Sequence, residues 1–493
     1  MSAVFIGVTL VHVFLPLRKR GAVLLKISLG TGLGLGITSC VLFFSLFIFG
    51  PRFSLVPEIV LVIMALGSWM FMIKRGVPAE VNLSPVGREK CKYGQILAAI
   101  FGVSLLSSLV SFAVSVVQEP HGKWDAWLIW NMHARFIYRG GEQWQDYFHS
   151  GLSWTHPDYP LMLPLSIVRS WNYMGAESLS VPIAIAFLFT CALIGLVVSS
   201  LVMLRSKSQG YLGGLVLLGS PFFILMGASQ LADIPLAFFL LAAVVLFFVH
   251  DRSSGRRHPI LIMAGVAAGL VAWTKNEGLM ILFVLILVRF FLVAAGEDGW
   301  KGAVKQVLWL MAGLVPVLLV VAVFKMHLAP STDLFIDQNI QKIWARLTDL
   351  QRYKAILYAY IQTGLTFTQG IPDIRTGFRL NLGTAGIVLL AVYLFLSGIS
   401  VERKDRGNIL CVLILTLITL GSYFVVYLIT PHDLGWHLAT SLNRLLLQLW
   451  PTIIFIAFIV ARTPEMVFPS EEHRRRETGA VLDKAGKRKR KGE

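Results

Sequence analysis

The chain has 493 residues, of which 56% are hydrophobic and only 14% charged, with a mean hydropathy of +0.71. That balance excludes a soluble globular enzyme, which needs far more polar surface, and favours a chain of many apolar runs of about 20 residues that cross a bilayer as helices. The formal charge of +17 would suggest nucleic acid in a soluble protein; here a positive-inside bias explains it and no nucleic-acid partner is expected.

The opening stretch, MSAVFIGVTLVHVFLPLRKR, has no basic n-region and no small-residue cleavage site, so it reads as a retained helix rather than a signal peptide. In chain order, spans are expected at roughly 1–17, 22–49, 55–73, 95–117, 179–204, 210–228, 232–250, 258–273, 278–295, 303–325, 382–400, 408–429 and 444–461. The predicted fold is an all-α polytopic membrane bundle of about 13 transmembrane helices. Cys40, Cys191 and Cys411 lie inside apolar runs and Cys91 in a basic loop; no spacing supports a disulfide framework or a zinc site.

The loops between these spans alternate in charge. One set, with the tail that holds Arg462, Arg474 to Arg476 and KAGKRKRK, carries about 29 basic residues, whereas the other short loops carry only Arg52, Lys275 and Arg444. The first set is therefore assigned to the cytoplasm, and the chain to the plasma (inner) membrane with its C-terminus inside. Two long loops, 118–178 and 326–381, then lie outside. The first holds six of the thirteen tryptophans, the residue that concentrates at membrane interfaces. Apolar residues recur every three or four positions over 124–138, which predicts a helix on the membrane surface with its tryptophans in lipid. In the second loop, LFIDQNIQKIWARLTDLQRYKAILYAYI reads as one or two more surface helices. The tail 463–493 is expected to be disordered and to meet anionic lipid at most.

Ionisable residues beside an outer span end are few, and such charges face a cavity or each other. They are Asp125, His133, Arg135, His156 and Asp158 in the first loop, Asp233 in SQLADIPLAFF, Lys275 and Glu277 in WTKNEGLM, and His432, Asp433, His437 and Arg444 near the end. Each has a plainer reading. Asp125 and Asp233 suit helix N-caps, the latter with Pro235 in the first turn. Lys275 and Arg444, which begins the last span, can snorkel to headgroups. His437 suits an interfacial histidine, and the tryptophans, Trp124 among them, suit anchors rather than a sugar-stacking platform. Their convergence from separate turns favours one polar site at the outer surface. An acid there can take a proton from a hydroxyl, and Lys and Arg can hold a phosphate.

The order WDAW, HPDYPLMLPL, ADIPLAFF, TKNEG and WHLATSLNRLLLQLWP resembles the GT-C superfamily of polytopic glycosyltransferases. It is most similar to the family-39-like branch, which includes protein O-mannosyltransferases and the aminoarabinose transferase of lipid A. The likeness spans 95–462 as a catalytic core, with 1–94 as additional N-terminal helices. The resemblance implies Asp125 as the catalytic acid-loop residue and Asp233 as the second acid. It further implies Lys275 and Arg444, with His156, as donor-phosphate contacts. His437, Glu277 and Trp124 are further substrate-binding candidates. The His156-Pro157-Asp158 element departs at its third position from the family's His-Pro-Pro or Lys-Pro-Pro, and Leu445 stands where the family has Tyr after the late Arg.

The expected function is transfer of a sugar from a polyprenyl-phosphate donor to a hydroxyl of a glycan, lipid or protein at the outer face. The resemblance implies in-line attack with inversion, with Asp125 as general base. No cofactor is expected and no divalent-metal constellation is seen. The alternatives are a transporter or flippase of a lipid-linked saccharide, a surface-polysaccharide polymerase or ligase, and a membrane scaffold.

Overall fold

The computed structural model describes residues 1–17, 21–75, 82–83, 91–254, 258–331, 339–369 and 386–468. The basic loop residues at 18–20, 88, 90 and 256–257 and the tail cluster lie outside the described residues. Nine described helices are long and apolar enough to cross a membrane: Ala22–Phe49, Pro51–Arg75, Gly94–Gln118, Ser180–Leu204, Asp233–Arg252, Glu277–Ala294, Gly299–His327, Arg403–Ile429 and Leu434–Val460. Strand pairing among the described residues is limited to Asn82–Leu83 against Ser253–Ser254 and one bridge between Ile399 and Ala461.

The remaining expected spans take other forms. Ser2–Phe14, His258–Thr274 and Gly386–Ser397 are shorter apolar helices. The run at 210–228 is two helices, Lys207–Leu218 and Pro221–Ala228, bent by 71°. The bend falls at Gly219-Ser220-Pro221: Ser220 caps the second helix by accepting from Phe223 N, and the proline ring cannot continue the first. The last span also starts earlier than 444. Asp433 accepts from Trp436 N at 2.8 Å and opens the helix at Leu434, so Arg444 sits inside the helix instead of beginning it. Past 463 the chain continues in a short helix Pro464–Val467, capped by Thr463, and residues 469–493 of the expected tail lie outside the described residues.

Asp233–Arg252 is the central helix, buried along its whole length and packed by the helices Ser180–Leu204, His258–Thr274 and Leu434–Val460. Close crossings are made where glycine removes the side chain. A Cβ on Gly7 or Gly34 would overlap the backbone of the facing helix in the first pair, as would one on Gly265 or Gly313 between His258–Thr274 and Gly299–His327. The N-terminal helices share the main apolar core through Val11, Leu29, Phe43 and others. They are also tied to the first long loop by Arg169, whose Nε and Nη2 donate to Glu58 at 2.6 and 2.8 Å.

That first loop is a chain of short elements: a π-turn Ala126–Trp130, a helix Asn131–Gly140, two 3-10 segments, and the buried helix Met162–Met174. The second holds two helices, Ile340–Thr348 and Leu350–Thr366, where surface helices were expected.

Candidate active site

Four elements meet where the central helix begins. Asp233 opens that helix, but its carboxylate caps nothing; it turns sideways and is 0% exposed. Arg444 Nε donates to its Oδ2 at 3.0 Å, and Lys275 Nζ and Gln448 Nε2 donate to its Oδ1 at 3.1 and 2.7 Å. A carboxylate withdrawn from water is tolerable only with such partners. Tyr423 OH in turn donates to Gln448 Oε1 at 3.1 Å and fixes the amide.

Arg444 and Gln448 are four residues apart on Leu434–Val460, hence on one face. Lys275 stands in the turn between His258–Thr274 and Glu277–Ala294. It is buried, with Glu277 Oε1 3.0 Å from its ammonium, so it does not snorkel. Burial works against its charge, but the Asp233 and Glu277 carboxylates outweigh burial and raise it above the ordinary lysine value. Glu277 Oε2 is buried and has no partner among the described residues, leaving an acceptor at the edge of the cluster.

Asp125 completes it. Its side chain caps no helix; it pairs with Arg444 Nη1. Arg444 thus bridges two acids of different exposure, Asp233 sealed and Asp125 with 29% of its side chain accessible. The chain around Asp125 is held by the turn before Asp233. Gln230, in the left-handed region at φ +59°, donates to Pro120 O at 3.0 Å and accepts from Asn131 Nδ2 at 2.9 Å. Lys123 N donates to Ser229 O at 3.3 Å. The π-winding just after Asp125 is a form common at functional sites.

Asp125, Asp233, Lys275, Glu277 and Arg444 are therefore brought together. His156 is linked to the acid segment through one ring: it stacks on Tyr159 at 4.9 Å, and Tyr159 lies 5.6 Å from Trp130. Asp158 of the same loop accepts from Asn276 Nδ2 at 2.7 Å. Two candidates lie apart. Trp124 is exposed, with its ring against Trp127. His437 is two turns before Arg444 on the same face, but its Nδ1 lies 2.9 Å from Thr430 Oγ1 and its ring against Tyr427. The tryptophans do not all face lipid: Trp124 and Trp127 point out, while Trp130 is fully buried because the helix packs its other side on the core.

Sequence reading missed Gln448, Tyr423, Asn276 and Lys325. Gln448 had a signal, an amide four residues after Arg444 in an apolar run. Lys325, whose ammonium lies 2.7 Å from Asn276 Oδ1, had a stronger one, a cation near the end of an apolar span. Tyr423 had none, since its role depends on a distant helix. Among the described residues, no three His, Cys, Asp or Glu side chains are grouped to hold a metal ion.

The sequence profile of the dolichyl-phosphate-mannose-protein mannosyltransferase family matches residues 150–330, a stretch containing His156, Asp233, Lys275 and Glu277 but neither Asp125 nor Arg444. No curated protein matches the chain. Among solved structures it is similar to the crystal structure of ArnT from Cupriavidus metallidurans in the apo state, at 15% identity and a TM-score of 0.42, over 73% of this chain and 59% of that one. This chain thus spans less than two thirds of that relative. Over residues 150–330, somewhat more than a third of its length, this polytopic helical chain is therefore similar to the dolichyl-phosphate-mannose-protein mannosyltransferase family.

Proposed function

We propose that the protein transfers a sugar from a polyprenyl-phosphate donor to an acceptor hydroxyl at the outer membrane surface, with inversion. The observation that carries this reading is the pair of acids bridged by Arg444, one sealed and one accessible. In the proposed step Asp125 takes the proton of the acceptor hydroxyl as its oxygen attacks the anomeric carbon. The new carbon–oxygen bond forms opposite the breaking one. The electron pair of the broken bond stays on the phosphate oxygen, which leaves as polyprenyl phosphate. Asp233, held by three donors, keeps Arg444 and Lys275 in place and does not exchange protons.

The resting pairing bears on the order of events. Arg444 cannot give the same N–H to Asp125 and to a phosphate. A donor phosphate that takes Nη1 in a charge-assisted bond releases Asp125 toward the acceptor, so the base is freed when the donor is bound.

The test uses radiolabelled polyprenyl-phosphate sugars offered to the protein in liposomes, with a crude envelope fraction as acceptor. Wild type should consume one donor, and D125N should lose at least about 100-fold in rate while keeping donor binding, the loss expected for a general base. Full activity of D125N removes the base assignment. Donor crossing the bilayer without turnover, in both proteins, makes the chain a transporter.

A further inference from the structure

Among the described residues, the charges of the site leave one cation over. Arg444 faces Asp125 and Asp233, and Lys275 faces Asp233 and Glu277. Three carboxylates thus meet two cations, and an arriving phosphate gains little from a cluster already negative in sum. Lys325 differs. It stands near the outer end of Gly299–His327, and its ammonium is held by two neutral oxygens, Asp158 O at 2.6 Å and Asn276 Oδ1 at 2.7 Å. It forms no ion pair among the described residues. The Asp158 carboxylate beside it is turned to Asn276 Nδ2 instead, at 2.7 Å. An ammonium has three donors, so one remains, and among the described residues its charge is uncancelled by direct contact. Asn276 directly follows Lys275, so this cation borders the same turn as the acid cluster, between it and the His156–Tyr159 loop.

We propose that Lys325 is the anchoring contact for the phosphate of a lipid-borne substrate, with Asn276 and the Asp158 carbonyl holding its ammonium in place. This rests on the lipid-phosphate donor reading above and assigns the phosphate's first contact to a residue outside the Arg444 cluster. A compact ammonium donates charge-assisted bonds to phosphate oxygens and needs no fixed plane, which suits a phosphodiester entering from lipid. Arg444 then exchanges Asp125 for a phosphate that is already anchored.

The test is binding, measured apart from turnover, in nanodiscs of phosphatidylcholine with undecaprenyl phosphate and undecaprenol as probes. Wild type should bind the phosphate far more tightly than the alcohol. K325Q, which keeps a donor for the Asp158 carbonyl, should weaken the phosphate at least tenfold and leave the alcohol unchanged, and K325R should restore most of the loss. In wild type, undecaprenyl phosphate but not undecaprenol should protect the Lys325 amine from acetylation, a readout needing no variant. Competition by added phosphatidylglycerol would identify an ordinary headgroup as the source of the phosphate; its absence identifies the polyprenyl lipid. Equal phosphate binding by K325Q and wild type, or no protection, overturns the assignment and leaves the donor reading standing. Folded wild type that fails to bind undecaprenyl phosphate overturns the donor reading, and this assignment with it.

Discussion

A sealed carboxylate with three donors makes Arg444 the residue on which the site's stability turns. Removing the guanidinium leaves Asp233 short of its main partner and Asp125 without its partner among the described residues. Breaking a buried pair from one side costs about 3–5 kcal/mol, because the remaining charge is uncompensated. R444Q should therefore lower stability by about that amount in denaturant unfolding, and D233N added to R444Q should recover part of it, a non-additivity expected of contacting residues. D125N should behave differently, costing about 1 kcal/mol or less because Asp125 reaches solvent and its pair is partly exposed. A large stability loss in D125N would make Asp125 a structural partner of Arg444. The ionisable members of this cluster were legible in the sequence because a charge beside an apolar span is expensive and therefore rare. Gln448 and Tyr423 were not, because neutral polar groups carry no such cost and their pairing arises only from how the helices pack.

Among the elements, the segment bearing Asp125 owes its placement to the turn that precedes Asp233. Gln230 carries that attachment at a backbone angle that disfavours side chains. Q230G loses both hydrogen bonds but relaxes the left-handed residue, whereas Q230A loses them and keeps the strain. Both variants should slow transfer, and Q230A should unfold at the lower temperature. The neighbouring helix Asn131–Gly140 is sensitive to acid. Burial holds the His133 imidazole down to about 4, against the opposing pull of the Thr155 carbonyl, to which Nε2 lies at 2.9 Å. The unfolded imidazole titrates near 6.5, so between the two values the unfolded chain binds more protons. The contribution of this group is thus complete above pH 6.5 and is lost as pH falls toward 4, at up to about 1.4 kcal/mol per unit. H133Q, which can still donate to Thr155, should show a shallower fall in unfolding midpoint across that range. Helix ends show what hydropathy can and cannot read. The bend at Gly219-Ser220-Pro221 is written in the residues themselves. The start of the last helix was missed because its first turns, LGWHLATSLN, are amphipathic, and an apolar window marks where a helix enters lipid, not where it begins.

For the whole molecule, the central helix fixes which face the site occupies. Its 20 residues span about 30 Å, with Asp233 at one end and Arg252 at the other. Arg252 forms a bidentate pair with Asp405 and lies in the set of loops rich in Lys and Arg, together with Arg205 and Arg289. The acid cluster and the basic loops are therefore on opposite sides of the bilayer, whichever side is which. From the excess of Lys and Arg we infer that the basic side faces the cytoplasm and the site the outside. The prediction can be read with a membrane-impermeant maleimide on intact cells, in a chain whose four cysteines have been replaced. Gln143 is exposed in the first long loop, and Glu297 is exposed at the end of the helix Glu277–Ala294 that lies away from Lys275. Q143C should label in intact cells and E297C only after lysis. The reverse pattern would turn the acid cluster to the cytoplasm, where a donor presented in the outer leaflet could not reach Asp125. The helix bundle would be unchanged by that result, since its packing does not depend on which side it faces, but the proposed donor would have to be replaced by one made and delivered inside the cell.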